Sequence, residues 1–145
     1  MSNLREENTM SNLRAFLHPV QAEEAREVII SKRFLGEDGR PVPFKIRPLT
    51  QEENDSLTRR SMRRVKVDGQ SVEKLDATVY GRRLVVAATV EPDFTSEALC
   101  KAYGTMDPLE VPGKMLLAGE FARLQKEIAA LSGFGAGDME DDAKN

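Results

Sequence analysis

The chain is poor in the side chains that carry most enzyme chemistry. Its 145 residues include one histidine, His18, and one cysteine, Cys100. A single cysteine excludes an internal disulfide, and the two together leave no cysteine- or histidine-rich zinc site. His18 has neither a second histidine nor a cysteine near it, so it reads as a solvent-facing or arm-packing residue. Cys100 stands beside Leu99 and close to Tyr103 on the apolar side of an expected short helix, where a buried inert thiol is the natural reading.

Long hydrophobic runs are also missing. No apolar stretch approaches the roughly 20 residues that a bilayer crossing needs. Met1 to Arg14 is polar and mixed in charge, unlike a secretory signal. Twenty-one basic residues against twenty-four acidic ones leave a net charge of −3, too weak a field to recruit nucleic acid or anionic membrane. The cytoplasm is the expected compartment.

Phosphate-binding loops and catalytic carboxylate pairs are absent in turn. Gly133-Phe134-Gly135-Ala136-Gly137 follows a helix rather than a strand and has no lysine–hydroxyl pair after it. Glu23-Glu24, Glu52-Glu53 and Glu140-Asp141-Asp142 all lie in polar stretches, without the divergent environments that acid–base pairs require. These absences point to a chain with no catalytic centre, no cofactor and no metal.

What is present suits a protein-binding domain. A hydrophobic content of 40% over this length can bury one core. Met1-Ser2-Asn3-Leu4-Arg5 recurs as Met10-Ser11-Asn12-Leu13-Arg14, an echo too short for a structural repeat and left out of the fold reading. We expect a flexible arm over 1–26, one globular domain over 27–134, and a disordered acidic tail over 135–145.

Within the domain, Glu27 to Phe34 is rich in β-branched residues, with Val28, Ile30 and Phe34 able to share a face. Val42, Phe44 and Ile46 alternate after the Asp38-Gly39 turn signal, which predicts a β-hairpin. Pro43 suggests a free edge on its second strand. Everything after Pro48 reads as helical. Thr50 and Glu53 form a capping box for a helix running to about Val65. Asp76 caps a second helix to Val90, apolar nearly all round and therefore central. Thr95 or Ser96 caps a short helix that Gly104 stops, and Asp107-Pro108 opens another turn. A last helix covers about Leu116 to Ser132. The predicted class is α+β: an N-terminal β-hairpin followed by four or five helices in a mostly helical single domain.

Two features stand out as candidate partner-binding surfaces. Arg59, Arg60, Arg63 and Arg64 fall on one side of the first predicted helix. They make either a solvated face with an Asp55–Arg59 pair or a docking face for an acidic segment, such as the chain's own tail or a neighbouring copy. Leu117, Phe121, Leu124, Ile128 and Leu131 form a seam of about two heptads on the last helix. That seam is either core packing or a surface for a partner helix or self-association.

The ordered series of segments resembles the tail assembly chaperones of long-tailed bacteriophages, in the branch of PBSX-like prophages. The residues that carry it are Ile30-Ser31-Lys32-Arg33-Phe34, Asp38-Gly39, Ile46-Arg47-Pro48-Leu49-Thr50-Gln51-Glu52-Glu53-Asn54, Leu75-Asp76 and Leu84 to Asp93. Tyr103-Gly104, Lys114 to Phe121 and Gly133-Phe134 complete it, so the match spans about Val28 to Phe134 and leaves out the N-terminal echo and the acidic tail.

The resemblance implies a non-catalytic helper that binds the tape measure protein and keeps it soluble while the tail tube assembles. It implies work in the bacterial host cytoplasm and absence from the mature virion. Contacts with the tail tube protein, with a frameshifted long form of the same protein, or within a homo-oligomer are its further implications. The competing expectation is a structural or adaptor component that stays in the particle.

Overall fold

The computed structural model describes residue 9, residues 12–22 and residues 24–134. The expected acidic tail lies outside these residues. Residues 12–17 are helical, and the His18 amide donates to the Arg14 carbonyl at 2.9 Å.

The predicted N-terminal hairpin is present only in part. β1 (Arg26–Val28) pairs antiparallel with β2 (Phe44–Ile46), with Arg26 opposite Ile46 and Val28 opposite Phe44. Between them the chain leaves strand geometry, touches itself at Leu35 and Pro41, and turns through Gly39 at φ +76°. The predicted strand from Glu27 to Phe34 therefore stops at Val28. Ile30 and Ser31 instead turn into the core, and Phe34 tilts against Phe44 with ring centroids 6.1 Å apart.

The free edge expected near Pro43 is overturned as well. β5 (Thr89–Glu91) pairs with β2 on its other side, so β2 is the central strand of a three-stranded antiparallel sheet. Its inward side chains, Phe44 and Ile46, are buried.

Helix α1 (Gln51–Arg60) begins as predicted. The Thr50 hydroxyl accepts from the Glu53 amide at 3.2 Å, and the Glu53 carboxylate accepts from the Thr50 amide at 3.2 Å. The helix ends five residues before the predicted Val65. Ser61, fully buried, donates its hydroxyl to the Leu57 carbonyl at 2.7 Å, while its own carbonyl accepts from the Asp76 amide at 2.8 Å. That clamp turns the chain into β3 (Met62–Val67), which pairs along its length with β4 (Gln70–Leu75). Asp68 and Gly69, at φ 52° and 80°, form the two-residue turn between them. An aspartate–glycine pair tolerates left-handed geometry at both positions, which is what a primed hairpin turn requires.

Helix α2 (Ala77–Ala88) starts at Asp76, whose carboxylate accepts from the Thr78 and Val79 amides at 3.1 Å each. It is central as predicted, with Gly81, Val85 and Ala88 buried, but its last predicted residues, Thr89 and Val90, belong to β5. Ser96 caps α3 (Glu97–Ala102), and Gly104 at φ +69° follows it. Asp107 and Pro108 open a short 3-10 turn (Pro108–Glu110) that runs into α4 (Val111–Met115). α5 (Ala118–Leu131) is separate from α4, which shortens the predicted last helix at its start.

Ile46, Val85, Ala88, Phe94, Val111, Leu124 and Ile128 have no exposed surface and bring the sheet, α2, α4 and α5 into one core. The class is mixed α+β, but the region after Pro48 is not all helical.

Candidate partner-binding surface

The four arginines do not share one helix face. Arg59 and Arg60 occupy the last turn of α1, while Arg63 and Arg64 lie on β3. Neighbouring residues of a strand point to opposite faces, so Arg63 and Arg64 diverge. The cause is the early end of α1 at Ser61. Arg63 Nε lies 3.7 Å from the Asp76 carboxylate. Asp55 accepts from the Gln51 amide group at 2.8 Å, and no Asp55–Arg59 ion pair forms among the described residues.

The β3–β4 ribbon stands out from the domain with almost every residue exposed. On one face Val65 sits opposite Val72, next to Val67. On the other, Arg64 sits opposite Glu73 and Met62 opposite Leu75. A lone two-stranded ribbon is marginal in water, because neither face has a layer to pack on.

The seam of the last helix divides by depth. Leu124 and Ile128 are fully buried, Phe121 and Leu131 pack half-buried against the core, and Leu117 is 60% exposed at the helix start. Core packing accounts for the inner part, and Leu117 with part of Phe121 faces outward.

Phe121 also forms part of an open cleft of about 520 Å³ between α2 and the α4–α5 corner. Ala77, Gly81 and Arg82 make one wall; Leu116, Ala118 and Gln125 join Phe121 on the other. Ala77 is two residues beyond the end of β4, so the cleft opens at the root of the ribbon. A Cβ at Gly81 would meet the Gln125 side-chain nitrogen, so the two walls lie close together here.

A second cleft of about 380 Å³ lies on the opposite side of Gln125, lined by Leu49, Asn54, Tyr80, Leu84, Ala129 and Phe134. The Tyr80 hydroxyl donates to the Asn54 side-chain oxygen, and burial pushes the Tyr80 phenol above its ordinary pKa. Gly81, Arg82, Gln125 and Tyr80 were not singled out by the sequence. No motif marks them, since each acquires its place only through the packing of α2 on α1 and α5.

Two ion pairs lie beside these clefts. Arg33 grips Glu120 with two bonds, Nη2 to Oε1 at 2.5 Å and Nε to Oε2 at 3.2 Å, and reaches the Met115 carbonyl at 3.1 Å. The guanidinium, with Ser31 adding a further bond, pulls the Glu120 carboxyl down to a pKa of about 2. Arg47 likewise holds the Glu53 carboxyl below its ordinary range.

The remaining sequence candidates stay apart. His18 is exposed, and Cys100 is buried with its thiol against the Phe94 carbonyl at 3.5 Å. Among the described residues no three histidine, cysteine, aspartate or glutamate side chains converge as metal ligands. No helix among them is long and apolar enough to cross a membrane.

The described residues thus form an α+β domain with an open cleft and an exposed, basic two-stranded ribbon. Comparison with known proteins gives the class. A family described as phage XkdN-like tail assembly chaperone protein matches residues 13–144. The phage-like element PBSX protein XkdN of Bacillus subtilis strain 168 is 36% identical over 130 residues, covering 87% of each chain. YqbN of the same strain is 36% identical over 137 residues, covering 90% of this chain and 92% of its own. The crystal structure of YqbN superposes with a TM-score of 0.67 at 32% identity, over 83% of this chain and 95% of that one. The chain belongs to the XkdN-like family of phage tail assembly chaperones, which places it in phage tail assembly. The family match extends beyond the expected span of Val28 to Phe134 and takes in the arm from Leu13 and most of the acidic tail.

Proposed function

We propose that this protein binds the tape measure protein of its phage and keeps it soluble while the tail tube is built. The observation that supports this reading is the open cleft beside Phe121, with apolar residues on its α4–α5 wall and Arg82 on the other. A tape measure is a long amphipathic helix whose exposed apolar stripe favours aggregation before assembly. A cleft between helices receives such a stripe by helix-in-groove docking, with the basic residues at its mouth selecting acidic flanks. Leu117 and Phe121 supply the outward apolar contacts of the seam, and Arg59, Arg60, Arg63 and Arg64 the charged rim. Leu124, Ile128 and Leu131 support that wall from behind.

On this reading the domain over 27–134 is a non-catalytic helper that acts in the bacterial host cytoplasm and leaves before the virion is complete. The tail tube protein, a frameshifted long form and further copies of the chain are its secondary partners. Co-expression with the cognate tape measure tests it. The tape measure should move into the soluble fraction and co-purify with this chain. No gain in solubility would refute the reading, and retention of the chain at fixed stoichiometry in purified particles would replace it with an adaptor role.

A further inference from the structure

We propose that the acidic C-terminal segment of the chain, residues 135–145, docks on the basic root of the β3–β4 ribbon. This contact is a property of the isolated chain and stands whether or not the tape measure is the client.

Charge complementarity selects the occupant. From Arg59 to Leu75 the sequence holds six basic side chains against two carboxylates, in a protein of net charge −3. Arg59, Arg60, Arg64 and Lys66 are exposed and make no ion pair among the described residues. Residues 135–145 hold Asp138, Glu140, Asp141 and Asp142 against Lys144 alone. A second ribbon is a poor occupant of the same place. Edge-to-edge pairing of two β3 strands would bring Arg63, Arg64 and Lys66 against their own kind, and charged edges of this sort oppose self-pairing.

Reach agrees with charge. The end of α5 lies at the start of α1, where the Leu49 amide donates to the Ser132 hydroxyl at 3.0 Å. Phe134 lines a cleft together with Thr50 and Gln51. From there α1 runs its ten residues to Arg60, a distance of about 15 Å at 1.5 Å per residue. An extended chain leaving Phe134 reaches Asp138 after about 13 Å and Asp142 after about 26 Å. That interval brackets Arg59 and Arg60 and the first residues of β3. An acidic peptide laid there offsets the repulsion among the arginines.

The test uses the full chain and its backbone amide NMR spectrum. Neutralising the tail by Asp138→Asn, Glu140→Gln, Asp141→Asn and Asp142→Asn together should move the resonances of residues 59–64 and leave those of the core in place. About 1 M salt, where screening falls to about 3 Å, should produce the same movement in the unaltered chain. Conversely, Arg63→Gln with Arg64→Gln should shift the resonances of residues 138–142 toward free-peptide positions. Unmoved resonances at 59–64 after neutralisation would overturn the proposal. A movement that weakens on dilution would overturn it too, since it would assign the docked tail to a second copy.

Discussion

Arg33 and Glu120, 87 positions apart in sequence, form a two-point ion pair that fastens the loop after β1 to the first turn of α5. Glu120 serves twice, because its carboxylate also accepts from the Leu117 amide at 2.8 Å and so caps the helix that carries Phe121. The cleft wall that carries Phe121 is thus positioned by a residue from near the start of the domain's sequence.

Acid should loosen this fastening. The Glu120 carboxyl titrates at about 2 in the folded chain and near its ordinary value of 4.5 when unfolded. A depressed folded value means that its contribution is complete above about 4.5 and is lost as pH falls toward 2. Glu53 and Asp93, also lowered, act in the same direction. Thermal unfolding followed from pH 7 to 2 should show the midpoint falling through this window, and Glu120→Gln should flatten the fall. An identical slope in the variant would mean that the pair carries no pH dependence.

Arg33→Ala should lower stability at neutral pH, because it removes both bonds to Glu120 and the bond to the Met115 carbonyl. Chemical denaturation measures it, and the loss should shrink when Glu120→Gln is already present, as expected for residues in contact.

Thr50→Ala removes the side-chain acceptor of the α1 cap and should lower stability by about 1 kcal/mol, whereas Thr50→Ser should leave it near the starting value. An unfolding midpoint unmoved by the alanine would contradict the cap seen between Thr50 and Glu53.

Gly69→Val should unlock the ribbon without unfolding the domain. A β-branched residue at φ +80° is strained by about 1–2 kcal/mol, and the ribbon has few packed neighbours to resist opening. Hydrogen exchange should speed up across residues 62–75 and remain slow in α2 and α5. Equal acceleration in those helices would show that the ribbon and core open as one unit.

Ala118→Glu places a carboxylate on the cleft wall at an exposed position in the first turn of α5. An acidic residue suits a helix N-terminus, so stability should stay within about 0.5 kcal/mol. Recovery of soluble tape measure on co-expression should nevertheless drop at least several-fold. Undiminished recovery would move the client away from this cleft.

Much of the local structure was legible because it rests on residues within one turn of each other. Thr50 with Glu53, Asp76 before α2, Ser96 before α3 and Asp107-Pro108 all do what their chemistry implies. The miss at β3 and β4 had a readable signal. Asp68-Gly69 lies between Val65, Val67 and Val72, the same turn chemistry that marked Asp38-Gly39 in the first hairpin. Reading the arginines at helical spacing hid it, since Thr58 to Val65 fits either period over so short a window. β5 had no such signal. Thr89 to Glu91 continues the apolar run of α2, and only the waiting edge of β2 makes it a strand.

The amino-acid sequence by itself determined the helix starts, the aspartate–glycine turns and the kinship with tail assembly chaperones. These depend on residue type and short spacing. Tertiary structure alone decided that Arg63 and Arg64 leave α1 for a ribbon, that Gly81 and Gln125 meet across a cleft, and that Arg33 reaches Glu120. Such contacts join residues tens of positions apart, and the free energy that selects them comes from burying one shared core, which no local window contains.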